Sequence, residues 1–337
     1  MKKGVLLVNL GTPDEPSRGA VYKYLKQFLL DPRVIDLPWL QRNLLVRGII
    51  APFRSGSSSK IYKKLWTKDG SPIKIYGYSL QKEVQKILGE DYMVELAMRY
   101  QSPSIKSALK NLKDAFVDEI IVFPLFPHYA SASTGSVLEE VMRLLSKELV
   151  IPPLKMINSY YDNEDMIQVF ADNARKHDIG SMDHILFSFH GIPERHMTKA
   201  DSTKAHCLKK ENCCSAICDA NKFCYSAQCH QTAHLIAKEL GLPKDKYTIC
   251  YQSRLGKDPW MQPYTTDALK TRALAGDKSM LVFSAAFVAD CLETTIEISE
   301  EYQEEWVKMG GKKLYLVESL NDNPKWINAV AKMIMEI

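Results

Sequence analysis

Short apolar runs alternate along this chain with longer segments whose apolar residues recur every three or four positions. The short runs predict strands buried on both faces, and the periodic segments predict amphipathic helices. Such alternation is typical of parallel sheets joined by right-handed helical crossovers, so we predict a doubly wound α/β fold. The predicted strands are 5–10, 94–98, 120–125, 185–189, 248–252, 280–283 and 314–317, and the clearest helices are 79–88, 104–116, 231–240 and 265–274.

The strand spacing indicates two similar halves, because in each half a long first gap precedes a shorter one. We expect an N-terminal domain of residues 1–158, joined by the C-terminal segment 312–337, and a second domain of residues 159–311. Each long gap holds an unusual insertion, a basic-apolar segment at about 37–68 and a cysteine-rich segment at about 200–224. Two such domains predict a cleft near the carboxyl ends of their strands.

The amino-acid composition and net charge limit the functional classes to which this chain can belong. The 337 residues are 46% hydrophobic and 25% charged, as in an ordinary soluble protein, and the net charge of +4 is too small to indicate nucleic-acid binding. No apolar run reaches the roughly 18–20 residues that span a bilayer. The apolar run that follows Lys3 ends at Gly11 without a small-residue cleavage site, so we interpret it as a strand rather than a signal peptide. We expect a reducing cytoplasmic location, where clustered cysteines favour metal binding over disulfides.

The basic-apolar segment has two interpretations. From Leu37 to Lys68 it has seven Lys and Arg residues and no acidic residue, and Trp39 and Phe53 stand among its apolar positions. An apolar face with a cationic flank is typical of an element on a membrane surface. The same pattern also fits a helix that packs on the protein body and leaves its arginines in water.

An acidic stripe follows the predicted strand at 280–283. Glu293, Glu297 and Glu301 would form one column on a helix, and no Lys or Arg lies between Lys278 and Lys308 to balance them. Crowded carboxylates raise one another's proton affinity, which suits a proton relay or a path for a divalent cation. A solvated helix face is the alternative.

His190 ends a fully apolar run and precedes Gly191-Ile192-Pro193. A side chain at such a strand end projects towards a cleft, where a neutral imidazole can take a proton or contact a metal. A hydrogen-bonded structural histidine is the alternative. His184, His196 and His206 are near in sequence but lack the strand-end position.

Six of the eight cysteines lie between Cys207 and Cys229. No two of them have CxxC spacing, so a zinc ribbon fits poorly, although His206 and His230 could complete a zinc site. A metal cluster, zinc and free thiols therefore remain the three alternatives for this segment.

Eight segments, in order over essentially the whole chain, together resemble ferrochelatase, which inserts ferrous iron into a porphyrin at the end of haem biosynthesis. They are VNLGTP (8–13), SPIKIY (71–76), MRY (98–100), FPHYASASTGS (126–136), SFHGIP (188–193), QSRLGKDPWMQPYT (252–265), FVADCLETTIE (287–297) and ESLNDNP (318–324).

The resemblance implies two Rossmann-like domains around a porphyrin cleft. It makes His190 and Glu293 the catalytic residues and contacts of the substrate iron, with Asp290, Glu297 and Glu301 as an acidic relay. Many members have a histidine where Cys291 stands here, which argues against a mechanism that needs a second histidine there.

The resemblance also implies a porphyrin-binding set. Members acting on coproporphyrin place a tyrosine where Leu10 stands, so Leu10 favours protoporphyrin IX. The apolar lip of the family corresponds to residues 37–53 and favours a protein held on the inner face of the membrane. The matching pocket residues are Leu10, Arg99, Tyr100, Tyr129 and Trp260.

Some ferrochelatases hold a [2Fe–2S] cluster in an internal cysteine-rich segment that this one resembles. Four thiolates are required. Cluster-free relatives can also carry a cysteine where Cys229 stands, so the predicted ligands are Cys207, Cys214, Cys218 and Cys224. Cys213 is an alternative to Cys214, and Cys229 is an alternative to any of the four.

Three other functions compete with this hypothesis. A chelatase for coproporphyrin III, or for another metal or tetrapyrrole, is the nearest. A haem- or iron-binding regulator would not need an intact His190 and Glu293. A nucleic-acid binder would need a basic stripe that the cysteine segment lacks. The oligomeric state stays open, with a homodimer among the alternatives.

Overall fold

The computed structural model describes residues 2–254, 256 and 258–337. They form two compact units, one of Met1–Phe126, Ala130–Asn158 and Ile327–Ile337 and the other of Pro127–Tyr129 and Ser159–Trp326. The sequence assigned the whole segment 312–337 to the first half. Residues 312–326 instead belong to the second unit, because the strand within them pairs there.

Within the described part of the chain, each unit contains one four-stranded parallel sheet. In the first unit the strands are β1 (Lys3–Gly11), β2 (Tyr92–Tyr100), β3 (Glu119–Pro124) and β4 (Leu154–Met156). In the second they are β5 (His184–His190), β6 (Tyr247–Gln252), β7 (Ser279–Phe283) and β8 (Lys313–Leu316). The spatial orders, β2-β1-β3-β4 and β6-β5-β7-β8, are equivalent. The predicted α/β fold with two similar parallel-sheet halves is confirmed.

Helices flank both sheets. In the first unit they are α1 (Arg18–Leu29), α2 (Trp39–Leu44), α3 (Ala51–Leu65), α4 (Pro72–Leu88), α5 (Ile105–Asp114) and α6 (Ser136–Leu145). The second contains α7 (Glu164–Arg175), α8 (Glu194–Ala200), α9 (Tyr225–Glu239), α10 (Thr265–Leu274) and α11 (Gln303–Lys308), and α12 (Pro324–Met335) continues from it into the first. Short 3₁₀ turns occupy Ile179–Ser181 and Lys244–Lys246.

The buried strands explain why the apolar runs predicted them. All six residues of β3 are buried, as are six consecutive residues of β1, because helices cover both faces of a parallel sheet. Ser104 caps α5 by accepting a hydrogen bond from the Ser107 amide, which fixes the start of that helix. The sequence missed β4, which has three residues, none of them fully buried.

Among the residues that the structure describes, three segments are π-helical: Leu45–Ile50, Ser131–Gly135 and Leu292–Tyr302. The third carries the acidic stripe, which the sequence placed on an ordinary helix. The π-helix bonds each amide to the carbonyl five residues earlier, a rare arrangement that is frequent at functional sites.

None of the helices formed by the described residues is long and apolar enough to cross a bilayer.

Candidate functional site

Three neighbouring strand ends of the second unit meet at one edge of its sheet. The central strand β5 ends at His190, which pairs in register with Gln252 at the end of β6. On its other side β5 pairs with β7, and the chain after β7 leads into the π-helix Leu292–Tyr302. The carboxyl edge of a parallel sheet is where α/β proteins bind ligands.

Local hydrogen bonds orient the His190 imidazole. Its Nδ1 lies 2.7 Å from the carbonyl oxygen of Gly191. Because a carbonyl only accepts, this bond assigns the proton to Nδ1 and leaves the Nε2 lone pair free. The ring centroids of Trp260 and Phe287 lie 6.5 Å and 6.3 Å from the centroid of the imidazole, so two aromatic rings adjoin it. The side chain is therefore set to accept a proton or contact a metal through Nε2.

Gly191 permits this arrangement by its lack of a side chain. Its amide donates to the Gln252 carbonyl oxygen at 2.8 Å. A Cβ atom at this position would lie 3.0 Å from that oxygen and 3.3 Å from the Trp260 ring. A larger residue would push the loop away from β6 and move the carbonyl that orients His190.

The acidic column runs from the interior of the second unit to its surface. Glu293 and Glu297 are half-buried and Glu301 is exposed. Electrostatic interactions link Glu297 to both His190 and Glu293. The structure thus brings His190, Glu293 and Glu297 together and places Glu301 at the solvent end of the column.

Polar neighbours hold the Glu297 carboxylate. Its Oε2 accepts hydrogen bonds from Ser253 at 2.7 Å and Gln252 at 3.1 Å, and its Oε1 accepts one from Tyr302 at 3.2 Å. Burial raises the pKa of Glu297 above its usual range, and the Glu293 charge raises it further, against the opposing effects of Ser253 and His190. A carboxylate with raised proton affinity is suited to receive a proton near neutral pH.

Sequence reasoning missed Gln252, Ser253 and Tyr302 as partners of this column. Gln252 also donates to the Glu293 carbonyl oxygen at 3.0 Å, so one buried amide holds the first turns of the π-helix to the sheet. Ser253 has a φ of +66°, a left-handed conformation that is uncommon for a residue with a Cβ. The sequence did carry a signal for two of these residues, because Gln252 and Ser253 stand at the end of an apolar run as His190 does.

Asp290 lies beside the acidic column in sequence, but the hydrogen-bond partners of its carboxylate lie outside that column. Its carboxylate accepts hydrogen bonds from the Asn321 amide at 2.7 Å, the Thr294 hydroxyl at 3.3 Å and the Ser319 backbone amide at 3.3 Å. These contacts fix the loop that enters the π-helix. The neighbouring Cys291 thiol is buried, and both burial and the Glu293 carboxylate raise the pKa of Cys291, which keeps it a neutral thiol.

Two of the predicted porphyrin residues, Arg99 and Tyr100, make internal contacts in the first unit. The Arg99 guanidinium donates to the Asp31 carboxylate at 2.7 Å and to the Ser136 hydroxyl at 2.6 Å. Tyr100 is fully buried and donates to the same carboxylate at 2.9 Å. Tyr100 therefore supports Asp31 and Arg99 from within and does not itself reach a ligand surface.

The other three predicted porphyrin residues lie at the ends of strands or in loops. Leu10 is half-buried near the end of β1, and Tyr129 is half-buried with its amide bonded to the Gln228 side chain at 2.7 Å. Trp260 pairs with Pro193 in an isolated antiparallel bridge, which holds its ring near His190.

Four cysteine side chains gather in the loop before α9. The Sγ atoms of Cys213 and Cys214 are 3.8 Å apart, and Cys207, Cys214 and Cys224 interact through thiol hydrogen bonds. Cys213 also interacts electrostatically with Cys207 and Cys214. Cys218 is exposed and does not figure among these interactions within the described residues.

The surroundings of Cys224 favour its thiolate. Cys224 is the N-cap of α9, and the backbone amides of Ser226 and Ala227 point towards its sulfur. A hydrogen bond from Cys214, together with these amides, lowers the pKa of Cys224 to about 6. Helix N-termini stabilise thiolates in this way, and the thiolate is the form that binds metals.

Two buried polar residues hold the cysteine loop in shape. The Asp201 carboxylate accepts hydrogen bonds from the amides of His206 and Cys207 at 2.9 and 3.0 Å. The Asn221 side chain bonds the Cys218 amide and the Cys213 carbonyl oxygen at 2.6 and 2.9 Å. Across residues 2–254, 256 and 258–337, however, no three His, Cys, Asp or Glu side chains are arranged to hold a metal ion. The [2Fe–2S] cluster therefore stays a prediction.

The basic-apolar segment has one packed side and one exposed side. Val46 and Ala51 are buried against the end of α1, whereas Trp39 and Phe53 are 69% and 78% exposed. Arg42 is buried, and its guanidinium donates to the backbone carbonyl oxygens that precede α2. One side of this segment therefore packs on the body, and the other presents apolar side chains; its association with a membrane stays a prediction. The exposed ones are Leu37, Trp39, Leu40, Leu44, Ile49 and Phe53.

Two sequence comparisons with known proteins agree on one family. The ferrochelatase family model matches residues 2–337. A ferrochelatase of Coxiella burnetii (strain Dugway 5J108-111) is 45% identical over 98% of this chain and 93% of its own length. One of Legionella pneumophila (strain Lens) is 43% identical over 100% and 99%. SirB from Bacillus subtilis with Fe³⁺ aligns over 100% of this chain and 95% of its own, at 12% identity and a TM-score of 0.57, which supports the fold alone.

Proposed function

Because this chain belongs to the ferrochelatase family, we propose that it inserts Fe²⁺ into protoporphyrin IX, releasing two protons and forming protohaem. The observation that carries the proposal is the free Nε2 of His190, which lies among aromatic rings and interacts with a carboxylate of raised proton affinity. The reaction requires a proton acceptor and, next to it, a second group that can take the proton onward.

His190 is the catalytic residue that meets the reacting centre. The porphyrin loses two pyrrole protons as iron enters, so a basic group must face its nitrogens. Nδ1 is bonded to the Gly191 carbonyl oxygen, which leaves the Nε2 lone pair to take a proton or contact the metal. Glu293 and Glu297 then receive protons from this region or pass iron to it, and the exposed Glu301 connects them to solvent.

Apolar contacts hold the macrocycle in a conformation that exposes its nitrogens. A planar porphyrin presents its nitrogens poorly, and binding energy from remote contacts can offset the cost of distortion. Trp260 and Phe287 beside His190, with Tyr129, supply aromatic surface in the second unit. Leu10 favours the apolar rim of protoporphyrin IX over the additional propionates of coproporphyrin III.

The test of this function is steady-state Fe²⁺ insertion under anaerobic conditions, with protoporphyrin IX and coproporphyrin III assayed side by side. We expect turnover with both metal and porphyrin present and a higher kcat/KM for protoporphyrin IX. A higher kcat/KM for coproporphyrin III would assign the alternative substrate, and no turnover of either would refute the chelatase function.

The exposed apolar side of the segment from Leu37 to Phe53 supports association with a membrane surface. Large apolar side chains rarely cluster in water unless they bind a partner or a membrane. Exposed cationic residues adjoin them, including Arg47 and Arg54 on the elements that carry the apolar side. Such a surface fits the interface of an anionic leaflet, where apolar insertion and charge attraction act together.

Replacing Trp39 and Phe53 together by serine should weaken binding to vesicles that contain anionic lipid by tenfold or more. Each side chain would bury its apolar surface in the bilayer, and complete burial contributes about 1.5–3 kcal/mol to the binding free energy. Co-sedimentation measures the effect. Phe116→Ser is the matched control, since Phe116 is 87% exposed elsewhere in the first unit. Equal binding by the double variant and the wild type would rule out this surface as the membrane contact.

We propose that the cysteine loop binds a [2Fe–2S] cluster, with one change to the predicted ligands. We assign Cys207, Cys213, Cys214 and Cys224, since their thiols interact, and replace the exposed Cys218 by Cys213. When bound, such a cluster supplies redox-active iron held by four thiolates, but insertion of Fe²⁺ transfers no electrons. Its role in this chain is therefore structural, in stabilising the loop, or sensory.

Two serine variants separate these ligand sets. Cys213→Ser should abolish the visible absorption and acid-labile sulfide of anaerobically purified protein, because a thiolate is lost. Cys218→Ser, a change of the same chemistry in the same loop, should leave both intact. The reverse pattern would restore Cys218 as a ligand, and a colourless wild type without sulfide would overturn the cluster.

A further inference from the structure

The side chain of Gln252 joins the acidic column to the sheet. Gln252 is the last residue of β6 and is buried. Its Nε2 donates to the backbone carbonyl oxygen of Glu293 at 3.0 Å and to Oε2 of Glu297 at 3.1 Å. One nitrogen therefore holds the backbone of one glutamate and the carboxylate of the next, which stands one turn further along the π-helix.

The other end of the same amide is bonded to two more strands. Its Oε1 accepts from the Ser188 hydroxyl at 2.8 Å and lies 3.5 Å from the Ser284 hydroxyl, and both serines are buried. Ser188 belongs to β5, and Ser284 directly follows β7. Turning the amide over would set its oxygen against a carbonyl and a carboxylate, which only accept, so the orientation with Nε2 on the column is the one that is satisfied.

A third element supports this orientation. The Ser188 hydroxyl also lies 2.8 Å from the hydroxyl of Thr265, the first residue of α10. A hydroxyl has one proton, so Ser188, which donates to Gln252, must accept from Thr265. The side chains of α10, β5 and β6 thus form a buried chain of donors that ends on the Glu297 carboxylate.

The position of that carboxylate matters because of what lies beside it. Glu297 interacts electrostatically with His190 and with Glu293. An amide does not exchange its protons as an acid or base near neutral pH, so Gln252 can hold Glu297 without competing for the proton that Glu297 receives. The exposed Glu301 then remains the way out for that proton.

We propose that Gln252 is a positioning residue for metal insertion, which keeps the Glu297 carboxylate beside His190 by bonding that carboxylate and the Glu293 backbone at once. The inference rests on the proposed chelatase function and is independent of any group bound by the cysteines. Because the Gln252 side chain is buried within the second unit, its loss should misplace the carboxylate and leave the surface that meets the porphyrin unchanged.

Gln252→Met tests the positioning role, because methionine keeps the length of the side chain and removes both polar ends. The backbone pairing of Gln252 with His190 does not involve this side chain. We expect kcat for Fe²⁺ insertion to fall about tenfold, as for a displaced catalytic group, with KM for porphyrin within about twofold of the wild-type value. A wild-type kcat in a folded Gln252→Met would overturn the proposal.

Gln85→Met is the matched control. The Gln85 side chain in α4 of the first unit also donates to two carbonyl oxygens, those of Gly89 at 2.9 Å and Tyr92 at 3.0 Å, and accepts from the Val94 amide at 2.8 Å. The same substitution there removes as many hydrogen bonds away from the acidic column. It should lower the midpoint of urea unfolding and keep kcat within about twofold of the wild-type value.

A double-mutant cycle with Glu297→Gln separates positioning from a general loss of stability. If Gln252 acts through the Glu297 carboxylate, Gln252→Met should change kcat less than about twofold once that carboxylate is gone. Fold-changes that multiply would show that the two residues act independently and would overturn the proposal.

Ser188→Ala supplies the same test if Gln252→Met does not fold. It removes the donor to Gln252 Oε1 at 2.8 Å and leaves Gln252 itself in place. We expect kcat to fall about two- to fivefold, and to fall no further when the change is added to Glu297→Gln. A wild-type kcat in Ser188→Ala, or an equal loss in both backgrounds, would overturn the proposal.

Crystal structures of the wild type and of Gln252→Met, or Ser188→Ala in its place, separate this inference from the function on which it rests. A wild type that inserts no iron would refute the proposed function, and the structures would still decide whether Gln252 positions Glu297. A carboxylate that leaves Ser253 or adopts several rotamers in the variant would support the positioning role, and an unmoved carboxylate would overturn it.

Discussion

His190→Ala should lower the rate of Fe²⁺ insertion by roughly 10²–10⁴-fold at saturating porphyrin, the range expected for loss of a positioned proton acceptor. The imidazole is half-buried, and its Nε2 is left free by the bond from Nδ1 to Gly191. Alanine leaves the aromatic neighbours Trp260 and Phe287 in place, so porphyrin binding should change little. Anaerobic haem formation measures the rate, and quenching of porphyrin fluorescence measures the affinity.

His234→Ala is the matched control for that variant. His234 is also half-buried in the second unit, but its Nδ1 is 2.9 Å from the Tyr247 hydroxyl and it is not one of the predicted catalytic residues. It should retain near-normal insertion. If His190→Ala folded normally and kept the wild-type rate, the assignment of His190 would be wrong.

Glu297→Gln should lower the insertion rate by roughly 10²-fold while leaving the fold at least as stable as the wild type. The amide oxygen can still accept from Ser253 and Gln252, and the amide group can donate to the Tyr302 oxygen, so the contacts survive. What is lost is the titratable carboxylate. Steady-state rates measured against pH and urea unfolding together separate the two effects.

The sign of the stability effect follows from the pKa shift. Burial raises the pKa of Glu297, so the folded chain binds this proton more tightly than the unfolded chain does. The ionised carboxylate therefore destabilises the fold at pH values above its folded pKa, and this cost vanishes as pH falls below its unfolded value. The stability advantage of Glu297→Gln should appear at neutral pH and shrink in mild acid.

Glu301→Gln is the control for the column, because Glu301 is exposed at the solvent end and should have the smaller effect on the rate. A variant at Glu297 that kept both the wild-type rate and its pH profile would remove this carboxylate from the proton path. A variant that was equally slow but clearly less stable would assign Glu297 a structural role instead.

The parallel-sheet fold was predictable because burial on both faces leaves continuous apolar runs in the sequence. The same apolar runs predicted that His190 stands at the end of a strand, and the structure confirms that position. The short strand Leu154–Met156 was missed, since three half-buried residues leave no pattern. The π-helical form of Leu292–Tyr302 was missed as well, because its acidic residues recur every four positions, a spacing that an ordinary helix also shows.

Contacts between segments distant in the sequence were beyond sequence reasoning. Arg99 and Tyr100 match a porphyrin pocket by motif, yet their polar atoms are bound to Asp31, about seventy positions earlier. Spacing alone could not separate Cys213 from Cys218, because which thiols meet depends on the turns that Asp201 and Asn221 stabilise. The contact between Tyr225 and the His190 carbonyl likewise joins a helix start to a strand end, and no local pattern marks it.

In the proposed mechanism, metal insertion is coupled to proton release through His190 and the carboxylates beside it. Single-turnover mixing of Fe²⁺ with the porphyrin-bound protein, followed by porphyrin absorption and a pH-indicator dye, tests it most directly. We expect two protons to be released per haem formed, with both signals slowed together in His190→Ala and Glu297→Gln. Haem formation at the wild-type rate in His190→Ala would contradict it.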